Sequence, residues 1–471
     1  MIHLYRFRDI NVLLDVGSGA VHTVSDTVSG ILSFFSEETG VPDGCREALG
    51  LDEGAFEEAM LEIEALREAG QLFASEDVPP TLEGRGAAIK ALCLHAAHDC
   101  NMRCAYCFAD EGKYAGEKAM LSVATGRHAI DFLIRHSGTR RNLEIDFFGG
   151  EPLMNFGVIR ELVAYGRMRE AESGKHIRFT LTTNGLLLGE DKDDFLNKEM
   201  DNIILSIDGR PEVNDRMRQT PAGGGTYAQV IGNCRRMAEK RAVLGLQCYV
   251  RGTYTAWNRD FSADVEHLAK EGFRHISVEP VVADASLPYA LTEADIPALC
   301  EEYDRLADDC LARAQRGEDF SFFHYKVDLT QGPCAWKRAA GCGAGTEYVA
   351  VSAAGDIYPC HQFVGEEGFR LGNVTDAHFD NRLYGPFIRA HVGAKEDCLS
   401  CWAKYYCSGG CHANALHANG DIMKPHRLGC ALERKRLECA IGIQAKLFLQ
   451  GQEGPSTVGS DDGEGDAAGS A

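Results

Sequence analysis

Between residues 90 and 317 the chain alternates six times between a short apolar run and a stretch of helical periodicity, and no other feature limits its fold as much. The apolar runs begin near Ala91, Leu143, Ile177, Ile203, Gln247 and His275. Each is roughly five to eight residues long, which suits a buried strand and is short for a helix. Helical spacing of apolar residues marks 123–136, 156–172, 227–241, 261–271 and 293–316. Repeated strand–helix units predict a parallel sheet with helices outside it. In such folds the chemistry gathers on loops at the C-terminal ends of the strands.

Cysteines stand at that edge. Cys100, Cys104 and Cys107 form a CxxxCxxC run just after the first apolar segment. Three thiolates are one ligand short of closing a four-iron cluster, so one iron is left free to bind and activate a small molecule. A zinc site completed by His95 or His98 is the plainer alternative, although both histidines read as strand-end or loop residues. Three more polar motifs each follow an apolar run: Gly149-Gly150-Glu151-Pro152 after 143–148, Thr182-Thr183-Asn184-Gly185 after 177–181, and Ser206-Ile207-Asp208-Gly209 after 202–205.

In order and placement these four motifs resemble those of the radical S-adenosylmethionine (radical SAM) enzymes. The resemblance implies a partial (β/α)6 radical SAM barrel over 90–317, with a 4Fe-4S cluster on Cys100, Cys104 and Cys107 and S-adenosylmethionine at its open iron. It implies that Gly149, Gly150, Glu151 and Pro152 meet the methionine amino group, Glu151 accepting from the ammonium. Thr183, Asn184, Ser206 and Asp208 would contact the carboxylate and ribose, and Tyr106 would pack on the adenine. Arg251 suits a donor to the carboxylate, whereas Arg218 reads more plainly as a surface ion pair. No residue is assigned as the acid or base that acts on the substrate.

A second cysteine block lies at 330–445. Cys342 is followed after twelve residues by Gly355 and after four more by Cys360; Cys398, Cys401, Cys407 and Cys411 then run CxxCx5CxxxC, with Cys430 eighteen residues on. CxxC pairs also suit zinc. The whole pattern resembles the SPASM iron-sulfur domain. That resemblance implies two auxiliary 4Fe-4S clusters, making three in all: an outer one on Cys398, Cys401, Cys407 and Cys430, and an inner one on Cys342, Cys360 and Cys411. Cys334 is a candidate fourth inner ligand, and whether that site is closed or open is left undecided. Cys45, Cys93, Cys234, Cys248, Cys300, Cys310 and Cys439 have no partner spacing and read as small buried apolar residues.

Residues 1–78 predict three short strands and then two helices, which resembles the winged-helix-like PqqD domain that grips leader peptides. Capture there is by strand addition to a sheet edge. Residues 79–89 read as linker, and 450–471 as a disordered acidic tail. The net charge of −22 argues against nucleic acid as a partner. Neither a membrane-length apolar run nor a signal-peptide core is present, so the expected place is the cytoplasm, where 18 cysteines read as metal ligands or core residues before disulfides.

The runs Gly341-Cys342-Gly343, Gly345-Thr346-Glu347-Tyr348 and Tyr358-Pro359-Cys360-His361 resemble most the maturases of SCIFF peptides, the ranthipeptide class of ribosomally made products. The resemblance implies an oxidoreductase that takes a Cys-rich precursor peptide with a leader, and electrons from a reduced ferredoxin or flavodoxin. It would form Cys-sulfur to Thr α-carbon thioether crosslinks through a 5′-deoxyadenosyl radical. A side-chain-carbon thioether and a formylglycine-forming sulfatase activator are alternatives; the latter family places Asp after the cysteine matched by Cys360, where this chain has His361. A noncatalytic iron-sulfur carrier or peptide-binding protein is the non-enzyme alternative, and it would not require all four cofactor motifs.

Overall fold

The computed structural model describes residues 1–36, 40–76, 88–114, 116, 118–329, 339–366, 368–376 and 384–451. Cys334, nearly all of the expected linker and the tail beyond Gly451 lie outside the described residues.

At the N-terminus, β1 (Ile2–Phe7), β2 (Ile10–Asp15) and β3 (Val21–Val24) pair antiparallel in that order. Helices α1 (Asp26–Phe34), α2 (Cys45–Leu49) and α3 (Glu53–Glu68) follow. The Ser25 hydroxyl accepts from the Val28 amide and the Asp52 carboxylate from the Ala55 amide, capping α1 and α3. One face of the sheet shares a private core with these helices, including Leu13, Val28, Ile31, Cys45, Ile63 and Leu72. Phe7, Val12 and Leu14 on the other face join the main core, where the C-terminal helix Arg427–Leu449 packs. A Cβ on Gly442 of that helix would lie 2.3 Å from the Phe7 ring, so Phe7 can pack there only because Gly442 has no side chain.

The middle of the chain supplies β4 (Ala91–His98), two-residue strands β5 (Arg103–Cys104) and β6 (Ala119–Met120), β7 (Asn142–Gly149), β8 (His176–Thr183) and β9 (Asn202–Ser206). It continues with β10 (Arg218–Gln219), β11 (Gln247–Tyr254), β12 (His275–Pro280) and β13 (Ser321–Phe322). All six expected apolar runs are strands, and β4, β7, β8, β9, β11 and β12 lie side by side in chain order, each parallel to the next. The intervening helices are α4 (Val123–His136), α5 (Phe156–Ser173), α6 (Glu190–Glu199), α7 (Pro211–Met217), α8 (Tyr227–Val243), α9 (Phe261–Lys270) and α10 (Ile296–Gln315).

Strand alternation sorts the side chains. Leu143, Ile145 and Phe147 of β7, Ile177, Phe179 and Leu181 of β8, and Ile203 and Leu205 of β9 are fully buried in the core shared with the outer helices. Glu144, Asp146, Thr180, Thr182, Arg251 and Glu279 take the other face and line the lumen.

The sheet continues past the six strands. β14 (Tyr348–Val351) adds parallel to β4, and β15 (Asp356–Tyr358) and β16 (Gly372–Asn373) extend it antiparallel. The six strands are therefore an open barrel, with β13 beside β12 at one end and the second cysteine block hung on β4 at the other. Among the described residues no helix is long and apolar enough to cross a membrane.

Candidate active site and cluster-binding cysteines

The loop bearing Cys100, Cys104 and Cys107 leaves the C-terminal end of β4 and is stitched down on two sides. β5 pairs with β10, setting Cys104 opposite Arg218, and the Ala105 amide donates to the Met217 carbonyl (2.8 Å). On the other side the Gly150 amide donates to Ala97 O (2.8 Å) and the Glu151 amide to Asp99 O (3.0 Å). The approach is so close that a Cβ on Gly149 would sit 2.3 Å from Ala97 O and one on Gly150 2.1 Å from Asp99 O. The glycines of the second motif are thus steric requirements of the loop that holds the thiols.

Glu151 is fully buried. Its Oε1 accepts from the Leu153 amide (3.0 Å) and the Thr183 hydroxyl (2.8 Å), and its Oε2 from the Asn184 amide (2.8 Å). Pro152 follows as the first residue of a short 3-10 turn, Pro152–Asn155, which the Glu151 side chain caps. Burial pushes Glu151 up to about 7 while its hydrogen-bond donors and Arg218 pull it down. A carboxyl poised this way gains from a cation placed beside it. Asn184 turns the other way, donating to Asn101 Oδ1 (2.8 Å) and lying 3.6 Å from Cys100 Sγ, so motifs two and three brace the cysteine loop directly.

Tyr106, Asp208 and Arg218 form a triad under the loop. The Tyr106 hydroxyl donates to the Asp208 carboxylate (2.7 Å), Arg218 Nη1 donates to the Tyr106 oxygen (2.9 Å), and the Thr253 amide donates to Asp208 Oδ1 (3.1 Å). Burial raises Asp208 to about 6, against the pull of Arg218. Arg218 is 8% exposed, so its reading as a surface ion pair is corrected: it is a buried cation bonded to the cysteine loop. Ser206 stands directly beside Arg251 in the register of β9 and β11, and Arg251 is paired with Glu279 of β12 at 2.8 Å. His98 ends β4, as a strand-end residue, while His95 lies inside the strand; both are buried and bond to each other (Nδ1 to Nε2, 3.0 Å).

In the second block, Cys360 follows β15, Cys342 precedes β14, and Cys411 caps the helix His412–Asn419 by accepting from the Asn414 amide. Burial, and after it the Cys411 and Cys342 thiols, push the Cys360 thiol up, so the three lie together. Cys398, Cys401, Cys407 and Cys430 line a single cavity of about 330 Å³. Cys430 enters it from the first turn of the helix Arg427–Leu449. Among the described residues no three His, Cys, Asp or Glu side chains converge to share one metal ion. A cubane takes one thiolate at each iron, so its cysteines surround a volume instead of meeting at a point; the four-thiol cavity has that form.

The chain matches the model of a 4Fe-4S single cluster domain over residues 82–232 and that of the SPASM iron-sulfur cluster-binding domain over residues 342–402. Its fold is similar to that of Streptococcus suis SuiB bound to the precursor peptide SuiA, with a TM-score of 0.53 at 17% identity over 91% of this chain and 98% of the other. The chain thus carries sequence marks of two iron-sulfur domains, the second of them SPASM. It is 20% identical over 349 residues, 69% of this chain and 88% of the relative, to a cysteine-type anaerobic sulfatase-maturating enzyme of Clostridium novyi. It is also 28% identical over 192 residues to an uncharacterized protein of Methanocaldococcus jannaschii, covering 41% of this chain and 62% of that relative, less than two thirds of its length.

Several residues of this site were not evident as such in the sequence. Asn101 is an unremarked member of the cysteine run, and its tie to Asn184 spans 83 positions. Lys395 is fully buried in the SPASM domain, its Nζ donating to Gly409 O (2.7 Å). Burial lowers its proton affinity, and the Cys398, Cys407, Cys411 and Cys430 thiols oppose that, which sets the lysine between the two cysteine groups. For Asn101 and Lys395 no local pattern gave warning. For Asp146 one did: a carboxylate alternating with Ile145 and Phe147 must face the lumen.

Proposed function

We propose that the protein matures a ribosomally made, Cys-rich precursor peptide by joining a cysteine sulfur to the α-carbon of a threonine in the same peptide. The observation that carries the peptide part is the N-terminal sheet: among the described residues its outer strand β3 pairs only with β2, leaving an edge to which a leader strand can add. The thioether part rests on the likeness of the Cys342 and Cys360 runs to the SCIFF maturases.

When bound, a cluster on Cys100, Cys104 and Cys107 with S-adenosylmethionine supplies a 5′-deoxyadenosyl radical able to take hydrogen from an unactivated carbon. SuiB binds S-adenosylmethionine in a further structure of similar fold. The chain's own share is placement. Glu151 receives the methionine ammonium, Tyr106 and Asp208 hold the nucleoside end, and the lumen positions the peptide out of water. The SPASM cysteines would hold iron-sulfur groups able to accept the surplus electron, with a reduced ferredoxin or flavodoxin as the electron donor.

The test is mass spectrometry of a Cys/Thr precursor after anaerobic incubation with the iron-loaded protein, S-adenosylmethionine and a reductant. The expected product has lost two hydrogens per crosslink, its cysteines no longer alkylate, and 5′-deoxyadenosine accumulates. The sulfatase-maturating relative favours a second reading, oxidation of a cysteine to formylglycine. An aldehyde trapped by a hydrazide would establish that reading in place of the first; deoxyadenosine with an unaltered peptide would sink both substrates.

A further inference from the structure

Among the described strand residues three carboxylates face the lumen, and their surroundings differ. Glu144 lies 3.8 Å from the Arg178 guanidinium, and Glu279 is paired with Arg251 at 2.8 Å. Asp146 has no ion pair within 4 Å among the described residues, and its Oδ1 is sealed from solvent with no hydrogen-bond partner. In the sheet register it sits between Cys93 of β4 and Thr180 of β8. Gly149, the first residue of the motif that buttresses the cysteine loop, is three positions along the same strand, about 10 Å higher.

The groups that face Asp146 come from every strand around it. Glu144 on its own strand and burial work against its charge, burial most; Arg251 of β11 and the Thr182 hydroxyl of β8 favour it, and the carboxyl is raised to about 7. Cys93 of β4, Tyr348 of β14 and Tyr114 of the cysteine loop all lie within its field. His361, the residue after Cys360, is committed to Tyr348, whose hydroxyl lies 3.2 Å from its Nδ1.

We propose that Asp146 is the proton acceptor of the barrel, taking the proton from the substrate heteroatom that forms the new bond. The assignment rests on the reading above. There, the substrate thiol gives its proton to the Asp146 carboxylate and the threonine α-carbon gives a hydrogen atom to the 5′-deoxyadenosyl radical. The sulfur–carbon bond forms between the resulting thiolate and carbon radical, and the one surplus electron leaves to an oxidised auxiliary four-iron cluster. One S–H and one C–H bond break, one C–S bond forms, and the peptide is oxidised by two electrons. Oxidation of a cysteine to a thioaldehyde releases the same proton, so the role does not depend on which product is made.

The test compares wild type, Asp146→Asn and Asp146→Glu on the same α-deuterated precursor. Asn keeps the size and one acceptor; the expected variant retains its iron, still transfers deuterium into 5′-deoxyadenosine within about twofold of wild type, and loses crosslinked product by about 10²- to 10⁴-fold. Wild-type crosslinking should rise with pH through about 7, as the acid becomes the carboxylate, and that rise should be absent in Asp146→Asn and partly restored in Asp146→Glu. Crosslinking by Asp146→Asn at the wild-type rate with the same pH profile would overturn the assignment. So would a parallel loss of deuterium transfer and product in a variant with full iron, because that marks a positioning residue. Wild type that forms no deoxyadenosine with any Cys-bearing peptide would overturn the underlying reading and the assignment together.

Discussion

Gly150 shows how narrow the tolerance of the cysteine loop is. A methyl group there would meet the Asp99 carbonyl at 2.1 Å, a backbone atom that cannot swing aside. Gly150→Ala should destabilise the protein by about 1–3 kcal/mol, as overpacking does, and should cost the barrel cluster while the SPASM cysteines still load. Urea midpoints together with iron and sulfide analysis read both effects. Glu151 makes a different prediction. Its folded pKa of about 7 lies above the ordinary value of 4.5, so the folded chain binds a proton the unfolded chain has lost in that interval. Its contribution to stability is complete below pH 4.5 and is lost as pH rises through about 7. Without S-adenosylmethionine, wild type should weaken across that window relative to Glu151→Gln, and S-adenosylmethionine should flatten the difference by favouring the carboxylate.

The elements of the fold were legible where the chain repeats itself. β7 alternates buried with lumen-facing residues over seven positions and β8 over eight, and that period is set locally by the strand itself. α6 is not marked by periodicity because Glu190–Glu199 offers the core only the neighbours Phe195 and Leu196 besides the buried Asp193, too little for a helical stripe. β14, β15 and β16 are two to four residues long and take their structure from the edge of β4, which lies more than 250 positions away in the chain. Arg218 was misplaced for the same reason: its partner Tyr106 stands 112 residues off, and an arginine in isolation reads as surface. Lys395 belongs to this class too, since only packing places it among the SPASM thiols. A fixed cation there favours the reduced, more negative state of a nearby cluster. Lys395→Met should therefore lower the reduction potential of an auxiliary cluster in an EPR-monitored titration. It should also cost about 1–3 kcal/mol for the Gly409 carbonyl left unpaired. An unchanged potential would mean that the lysine serves packing alone.

Across the whole molecule, the N-terminal sheet is seated on the same helix that brings Cys430 to the outer cysteine cavity. The Tyr5 hydroxyl donates to the Glu438 carbonyl (2.9 Å), the His3 ring stacks on Trp402 at 3.8 Å beside Cys401, and Lys404 pairs with Glu76. A leader held on the edge of β3 is thereby held in fixed relation to the barrel mouth and to the SPASM cysteines. That link can be cut at a place free of cysteines and of lumen residues. Gly442→Val would drive a side chain into the Phe7 ring, and the sheet must lift by roughly the width of a methyl group, at a cost of about 1–3 kcal/mol. Turnover of the full precursor should then fall to the rate of the leaderless core peptide. Iron content and S-adenosylmethionine cleavage should stay as they were, because nothing in the barrel has moved. Hydrogen exchange supplies the second reading: in wild type the leader should protect the amides of Val21–Val24, and in Gly442→Val that protection should persist even as turnover falls. Protection and turnover lost together would mean that the substitution unfolds the sheet; protection kept with turnover lost would mean that the seat on the C-terminal helix is what turns leader capture into delivery.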